Sequence, residues 1–170
     1  MIRKFVIFST LLLAMVAFVA MMASAEEAKH EYVGNKKCKG CHKDQFKAWG
    51  ETTHATSFDK LSDEEKAKPE CAKCHTSGTM ADGTLLEGVT CEGCHGPGSD
   101  YKSPKIMSKK KYKADKEAQR KLALEAGLIL PGEADCVTCH TKEGNANFKP
   151  FDFEKRKGEV HPPAVVETKK

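Results

Sequence analysis

Eight cysteines and four histidines of this chain fall into one pattern, repeated four times. CKGCH occupies Cys38–His42, CAKCH Cys71–His75, CEGCH Cys91–His95 and CVTCH Cys136–His140, and together they use every cysteine in the 170 residues. Two thiols separated by two residues, with an imidazole directly behind the second, form the attachment signature of a c-type haem. The thiols add across the two vinyl groups, and the imidazole falls where it takes one axial position on the iron. An even cysteine count also permits disulfides, four CxxC pairs permit two zinc sites of four thiolates, and a single CxxC serves thioredoxin-like redox chemistry. None of these requires a histidine behind every pair. With seven histidines in the chain, four such placements by chance have odds of roughly a few in a million. The reading is four haem c, held covalently by Cys38, Cys41, Cys71, Cys74, Cys91, Cys94, Cys136 and Cys139, with His42, His75, His95 and His140 as proximal iron ligands.

Four irons call for four distal ligands, and only His30, His54 and His161 remain. At least one iron therefore lacks a distal histidine from its own chain. Met80 and Met107 are the methionines beyond the apolar N-terminal stretch, and either thioether is a possible substitute, although a methionine usually just packs. The elements between the pentads decide which ligand reaches which iron. A helix is expected from Lys43 to about Leu61, with Phe46 and Trp49 on one face. Along it, the twelve residues from His42 to His54 span about 18 Å, whereas two nitrogens on one metal lie only about 4 Å apart. A continuous helix thus sends His54 to another iron. His30 sits in a loop over residues 26–37 with Gly34-Asn35 as its turn, free to fold back on the first iron.

Further along, Ser62 and Glu65 form a capping box for a short helix stopped by Pro69. The segment Thr76–Thr90 reads as a polar loop turning at Ala81-Asp82-Gly83, short enough to hold the second and third haems against one another. A helix is expected over about Ala114–Ala126, with an apolar stripe at Ala118, Leu122 and Ala126, a Glu117–Lys121 pair and a stop at Gly127. Phe148, Phe151 and Phe153 are expected to pack on haem.

Residues 1–25 read as a secretory signal: Arg3 and Lys4, an apolar run, then Ala23-Ser24-Ala25 as a cleavage site. An uncleaved anchor is the alternative for so long a run. Cleavage leaves residues 26–170 as one tetrahaem domain, about 36 residues per haem. That is too little chain for an ordinary core, so the haems supply much of the apolar surface to be buried, and the apo-chain is expected to be largely unfolded. Without Arg3 and Lys4 the chain has 26 basic against 24 acidic residues, and haem propionates add negative charge. The lysines crowd into residues 103–121, either a solvated helix and its lead-in or a docking face for an acidic redox partner.

The chain resembles the tetrahaem cytochrome c-554 family of multihaem c-type cytochromes. The residues that carry the likeness are KKCKGCHKDQFKAWGETTHA (Lys36–Ala55), PECAKCH, GVTCEGCHGPG (Gly88–Gly98) and ADCVTCH, in that order. The resemblance implies a mainly α fold with little regular secondary structure, a small multihaem cytochrome wrapped around four covalently attached haems in close pairs. It implies periplasmic electron transfer, His54 as distal ligand to the haem of the last pentad, His161 to that of the third, and a second haem left five-coordinate. In one respect the chain departs from the family. The family's histidine a few residues after the third pentad, which ligates the first haem, has no counterpart here, because residues 96–135 contain no histidine. His30 is the expected replacement, with an unligated or partner-ligated first haem as the alternative.

The sequence therefore reads as an exported, periplasmic or secreted tetrahaem electron carrier with a redox-protein donor and acceptor. No nucleic acid and no stable membrane insertion after signal cleavage are expected. The alternatives are a haem enzyme reducing a small nitrogen or oxygen species at an open iron, or a subunit of an extracellular cytochrome filament. No pattern of positioned acid and base groups marks a catalytic residue, and none marks an oligomeric state.

Overall fold

A computed structural model describes residues 30–145 and 147–162 of the chain. The leader expected at residues 1–25 and the charged end beyond residue 162 lie outside them. Short helices dominate, with turns between. After a single 3-10 turn at Asn35–Lys37 come α1 (Lys43–Gly50), a second 3-10 turn (Phe58–Lys60), α2 (Asp63–Lys66) and α3 (Pro69–Ala72). Strands β1 (Thr76–Thr79) and β2 (Leu85–Glu87) follow, then α4 (Cys91–His95), α5 (Lys109–Ala114), α6 (Lys116–Glu125), α7 (Glu133–Val137) and α8 (Phe153–Arg156). The fold is mainly α with little regular structure, as the sequence implies.

The first helix is much shorter than expected. It ends at Gly50, where Thr52 turns back on the helix end: its N–H and its hydroxyl both donate to the Trp49 carbonyl, at 2.9 and 2.7 Å. Gly50 and, past Glu51, the two β-branched residues Thr52 and Thr53 make poor helix sequence, and the chain leaves α1 through turns instead. Phe46 and Trp49 share a face, their ring centres 5.4 Å apart. The Trp49 indole N–H donates to the Val89 carbonyl at 2.8 Å, which fastens α1 to the entry of α4. The Ser62–Glu65 capping box forms as read: Glu65 N–H donates to Ser62 Oγ at 3.3 Å, and Ser62 N–H to Glu65 Oε2 at 2.8 Å.

The polar loop expected at 76–90 is an antiparallel hairpin. Its register pairs Thr76 with Glu87 and Thr79 with Leu85, with an irregularity between them. The turn lies where the sequence puts it, with Gly83 N–H on the Met80 carbonyl at 2.9 Å and Thr84 N–H on Asp82 Oδ1 at 2.9 Å. Threonines flanking an Asp-Gly turn are a hairpin signal in their own right. Ser77 links the hairpin to the third pentad, donating to the Gly88 carbonyl at 2.9 Å and accepting the Thr90 N–H at 2.7 Å.

Of the helix expected at 114–126, the stretch Lys116–Glu125 forms, behind an Asp115 cap whose side chain accepts from Ala118 N–H. Its inward face is Gln119 and Ala123 rather than the Ala118–Leu122–Ala126 stripe, and Leu122 stays 48% exposed. That face turns inward because the Gln119 amide bonds the Ile106 carbonyl and reaches that of Lys105. Gly127, at φ +89°, ends it as read. Its N–H bonds the Leu124 carbonyl at 3.0 Å and Leu128 N–H the Ala123 carbonyl at 2.9 Å, the double closure of a left-handed C-cap. An ion pair on this helix joins Lys121 and Glu125 at 3.8 Å.

One side chain ties the N-terminal segment to the middle of the chain. Glu92, inside the third pentad, is 1% exposed. Its carboxylate accepts the N–H of Val33 at 3.0 and 3.2 Å, of Gly34 at 2.7 Å and of Gly98 at 2.7 Å. Nearby, Ser99 N–H bonds the Glu31 carbonyl at 3.1 Å and Glu31 N–H the Ser99 hydroxyl at 3.0 Å. Converting Glu92 to Gln turns one acceptor oxygen into a donor facing a backbone N–H. Loss of charge-assisted bonds on that scale should cost about 2–4 kcal/mol. In urea titrations of the holoprotein, Glu92→Gln should unfold at clearly lower denaturant than the unaltered chain; an unmoved midpoint would show that the clamp carries no stability.

Candidate functional site

Each pentad is a single helical turn. In the first, Cys41 N–H and His42 N–H both bond the Cys38 carbonyl, at 3.2 and 3.0 Å. In the fourth, Cys139 and His140 do the same to Cys136, at 3.3 and 3.0 Å. The third is α4 itself, and the second runs out of α3, with Lys73 N–H on the Pro69 carbonyl and His75 N–H on that of Ala72. This geometry explains the spacing. Positions i, i+3 and i+4 of a helical turn share one face, so both thiols and the imidazole project to the same side. No disulfide joins any of the eight cysteines.

The turns come together in a definite order. Cys38 of the first pentad lies near Cys91 of the third, and Cys74 of the second near Cys139 of the fourth. Cys94 of the third lies close enough to Cys136 and Cys139 of the fourth to feel their charge. The thiols thus form a row: first, third, fourth, second. The hairpin does join the second and third pentads, but their thiols face other partners. Burial of Cys94 and the nearness of Cys91 to Cys38 push those thiols up from the ordinary value, and burial with the Cys139 contact takes Cys74 up to about 11.

The histidines pair across the chain. The rings of His54 and His140 are 6.0 Å apart centre to centre, with 67° between their planes, and those of His95 and His161 are 5.9 Å apart at 32°. Two imidazoles on one metal, each nitrogen about 2.0–2.1 Å from it, have ring centres roughly 6 Å apart. Phe151 stacks on His140 at 4.3 Å and 14°. Phe153 is instead under the Lys157 ammonium.

Several rings are oriented by their second nitrogen. His75 Nδ1–H donates to the Ser57 carbonyl at 2.6 Å, His95 Nδ1–H to that of Ile129 at 3.0 Å, and His161 Nδ1–H to that of Pro162 at 3.0 Å. An Nδ1–H fixed on a carbonyl leaves Nε2 with its lone pair, the arrangement of metal-ligating imidazoles. Burial holds His42, His54, His95 and His140 below the ordinary histidine value, more than their charged neighbours do. At neutral pH they are therefore neutral, the form that ligates.

His54 is positioned by a loop. Its carbonyl accepts the Val89 N–H at 2.9 Å. At Gly88, φ +81°, a Cβ would come within 2.8 Å of the Ala55 carbonyl oxygen, so only glycine allows the approach. The premise of a continuous helix to His54 fails, and turns carry it to His140 instead. His30 has its Nδ1 on Asp100 Oδ2 at 2.7 Å and its ring edge against Gly127.

An open-mouthed cavity lies between the first and third pentads. Its walls are almost wholly apolar and include Phe46, Trp49, Leu128 and Leu130; His42, His95 and His161 project into it. Ligand sites are mostly apolar with a few placed polar groups, and this apolar lining, with cysteines and imidazoles converging on it, suits a flat macrocycle held by thioether and axial donors. Sequence reasoning missed Tyr101, a buried wall residue whose hydroxyl donates to the Gly96 carbonyl at 2.7 Å, and the backbone carbonyls that orient the rings. Carbonyls leave no trace in residue type; an aromatic six residues after a pentad histidine is a visible signal.

Among known proteins, the family model of cytochrome c554 and c-prime matches residues 37–96. The cytochrome c-554 of Nitrosomonas europaea is 29% identical over 175 aligned positions, covering 84% of this chain and 74% of that one. The solved structure of reduced cytochrome c554 from the same organism shares the fold at a TM-score of 0.55 and 24% identity, covering 79% of this chain and 85% of that one. With four pentads the chain is a c-type cytochrome of four haem c, an electron carrier. In sequence it is similar to the cytochrome c-554 family, whose model spans its first three pentads.

Proposed function

We propose that this chain is exported, takes its four haems on the pentads, and passes electrons between a donor and an acceptor protein as a single domain outside the cytoplasm. Cys38/Cys41, Cys71/Cys74, Cys91/Cys94 and Cys136/Cys139 hold the haems, with His42, His75, His95 and His140 proximal. His54 is distal at the fourth station and His161 at the third. The observation that carries this reading is the pair of imidazole couples, each spaced for one shared metal and each joining a pentad histidine to a remote one.

Bound haem c supplies a one-electron ferric/ferrous couple whose potential follows its axial ligands and burial. The chain's own residues do the rest. Helical turns aim the thiols and proximal rings to one side, backbone carbonyls fix the ring tautomers, and apolar walls keep water from the irons. The row of pentads sets an order of stations running first, third, fourth, second. Protein-partner contact fits the exposed lysines of α5, Lys109, Lys110, Lys111 and Lys113, which attract an acidic surface. Export rests on the leader at residues 1–25. No helix among the described residues is long and apolar enough to cross a membrane.

Expressed with haem-maturation machinery, the protein should show, under denaturing mass spectrometry, a chain from Glu26 plus four haem masses. Recovered disulfides, bound zinc or unmodified thiols would sink the attachment reading. Exchanging His54 or His161 for Met should raise the potential of one haem in each case, because Met/His ligation lies above bis-His. Redox titrations unchanged in both variants would remove the two histidines from the irons.

A further inference from the structure

We infer that Met107 is the distal ligand at the first station, opposite His42. The inference rests on the proposed haem attachment and concerns the one station for which no ring couple accounts in the wall it shares. Met107 and His42 line the same cavity, which also receives His54, His95 and His161. Those three are already matched: His95 with His161 at 5.9 Å, His54 with His140 at 6.0 Å. His42 is the pentad histidine left in that cavity, and Met107 is the soft donor left beside it.

The other candidates are held elsewhere. His30, the replacement expected from sequence, has Nδ1 on the Asp100 carboxylate and its Nε2 edge against the Gly127 backbone, where a Cβ would come within 2.9 Å of that nitrogen. Its segment is pinned by the Glu92 carboxylate through Val33 and Gly34, so it does not fold back freely. Met80 sits at the hairpin turn with its sulfur 3.4 Å from where a Gly34 Cβ would lie, and it does not line the cavity.

The turn that carries Met107 is built to hold it still. Met107 N–H donates to the Ser103 carbonyl at 2.7 Å, and Ser108 begins α5 by accepting the Lys111 N–H at 3.3 Å. The Gln119 amide, a buried polar group on α6, donates to the Ile106 carbonyl and reaches that of Lys105 at 3.5 Å. A buried amide spent on the two carbonyls before a methionine makes it a fixed donor, where a methionine that merely packs needs no such clamp. Thioether ligation raises potential relative to a second imidazole, so the first station becomes the high-potential end of the row and the second, at His75, the station open to an added ligand.

Proton NMR of the fully reduced holoprotein should show one methionine methyl resonance moved far upfield by a haem ring current, and Met107→Ala should abolish it. In the same variant carbon monoxide uptake should rise from one haem in four to two in four, and Met107→His should lower the potential of one haem while restoring uptake to one. His30→Gln should change neither count. Absence of the upfield signal in the unaltered protein overturns the assignment without needing any variant to fold. So does unchanged carbon monoxide uptake in Met107→Ala, or a rise confined to His30→Gln. Fewer than four haems by mass would instead overturn the attachment reading on which this one stands; four haems with no methionine signal fails Met107 alone.

Discussion

A buried carboxylate with four backbone contacts organises this molecule. Glu92 lies at the second position of a helical turn whose first, fourth and fifth positions are Cys91, Cys94 and His95. On a turn of 3.6 residues those three share a side and the second position points away from them. The third pentad thus has two working faces: one presents thiols and imidazole, the other drives a carboxylate into the N-H groups of Val33, Gly34 and Gly98. An ionised carboxylate is expensive to bury unless its oxygens are fully bonded, and here they are. The same contact brings the first pentad, four residues after Gly34, up against the third, which is why Cys38 meets Cys91.

Such polar fastening matters because there is so little else. Among the described residues the buried hydrophobic side chains are Phe58, Leu86, Tyr101 and Ala123, far fewer than an ordinary domain of this length uses. Large apolar groups such as Leu124, Ile129 and Leu130 remain 45–48% exposed, and Leu130 faces the cavity between the first and third pentads. A polypeptide with this distribution needs apolar partners that it does not itself contain. Coupled binding and folding is the usual outcome for small domains of that kind. The haems then act as core, and the polar clamps fix the register in which the turns close around them.

What could be read from the sequence divides along the range of the interactions. The pentads, the Ser62–Glu65 cap, the Asp82-Gly83 turn and the Gly127 stop are all settled within about five residues, and each is where the sequence puts it. The length of α1 was misread because the Phe46–Trp49 periodicity says nothing about where Thr52 will turn back. The hairpin was missed because Thr-Ser-Gly-Thr is polar, and a two-stranded ribbon needs no apolar alternation when the adjoining pentads hold it. The inward face of α6 differs from the expected Ala118–Leu122–Ala126 stripe because the Gln119 amide is needed by the Ile106 and Lys105 carbonyls, and a polar residue leaves no mark in an apolar stripe. His54 approaches His140 as the family resemblance implies, yet the helix-length argument for it does not survive, since turns rather than a rod span the distance.

The division between near and far also bears on how potentials are set in such a protein. Thiols and proximal imidazole come from one helical turn, so they are fixed together and tolerate no change in spacing. The remote rings of His54 and His161 come from loops, as does Met107, and each is positioned by backbone bonds of its own: Val89 to the His54 carbonyl, Ser103 to Met107. A loop can exchange an imidazole for a thioether, or offer nothing, without disturbing attachment. On the proposed reading all three cases occur in one chain: bis-imidazole at the third and fourth stations, thioether at the first, and an open position at the second. Because the thiol row runs first, third, fourth, second, the two departures from bis-imidazole fall at its two ends. The middle stations are then matched to one another, and the ends, where a partner protein or a small ligand meets the row, are the ones that differ.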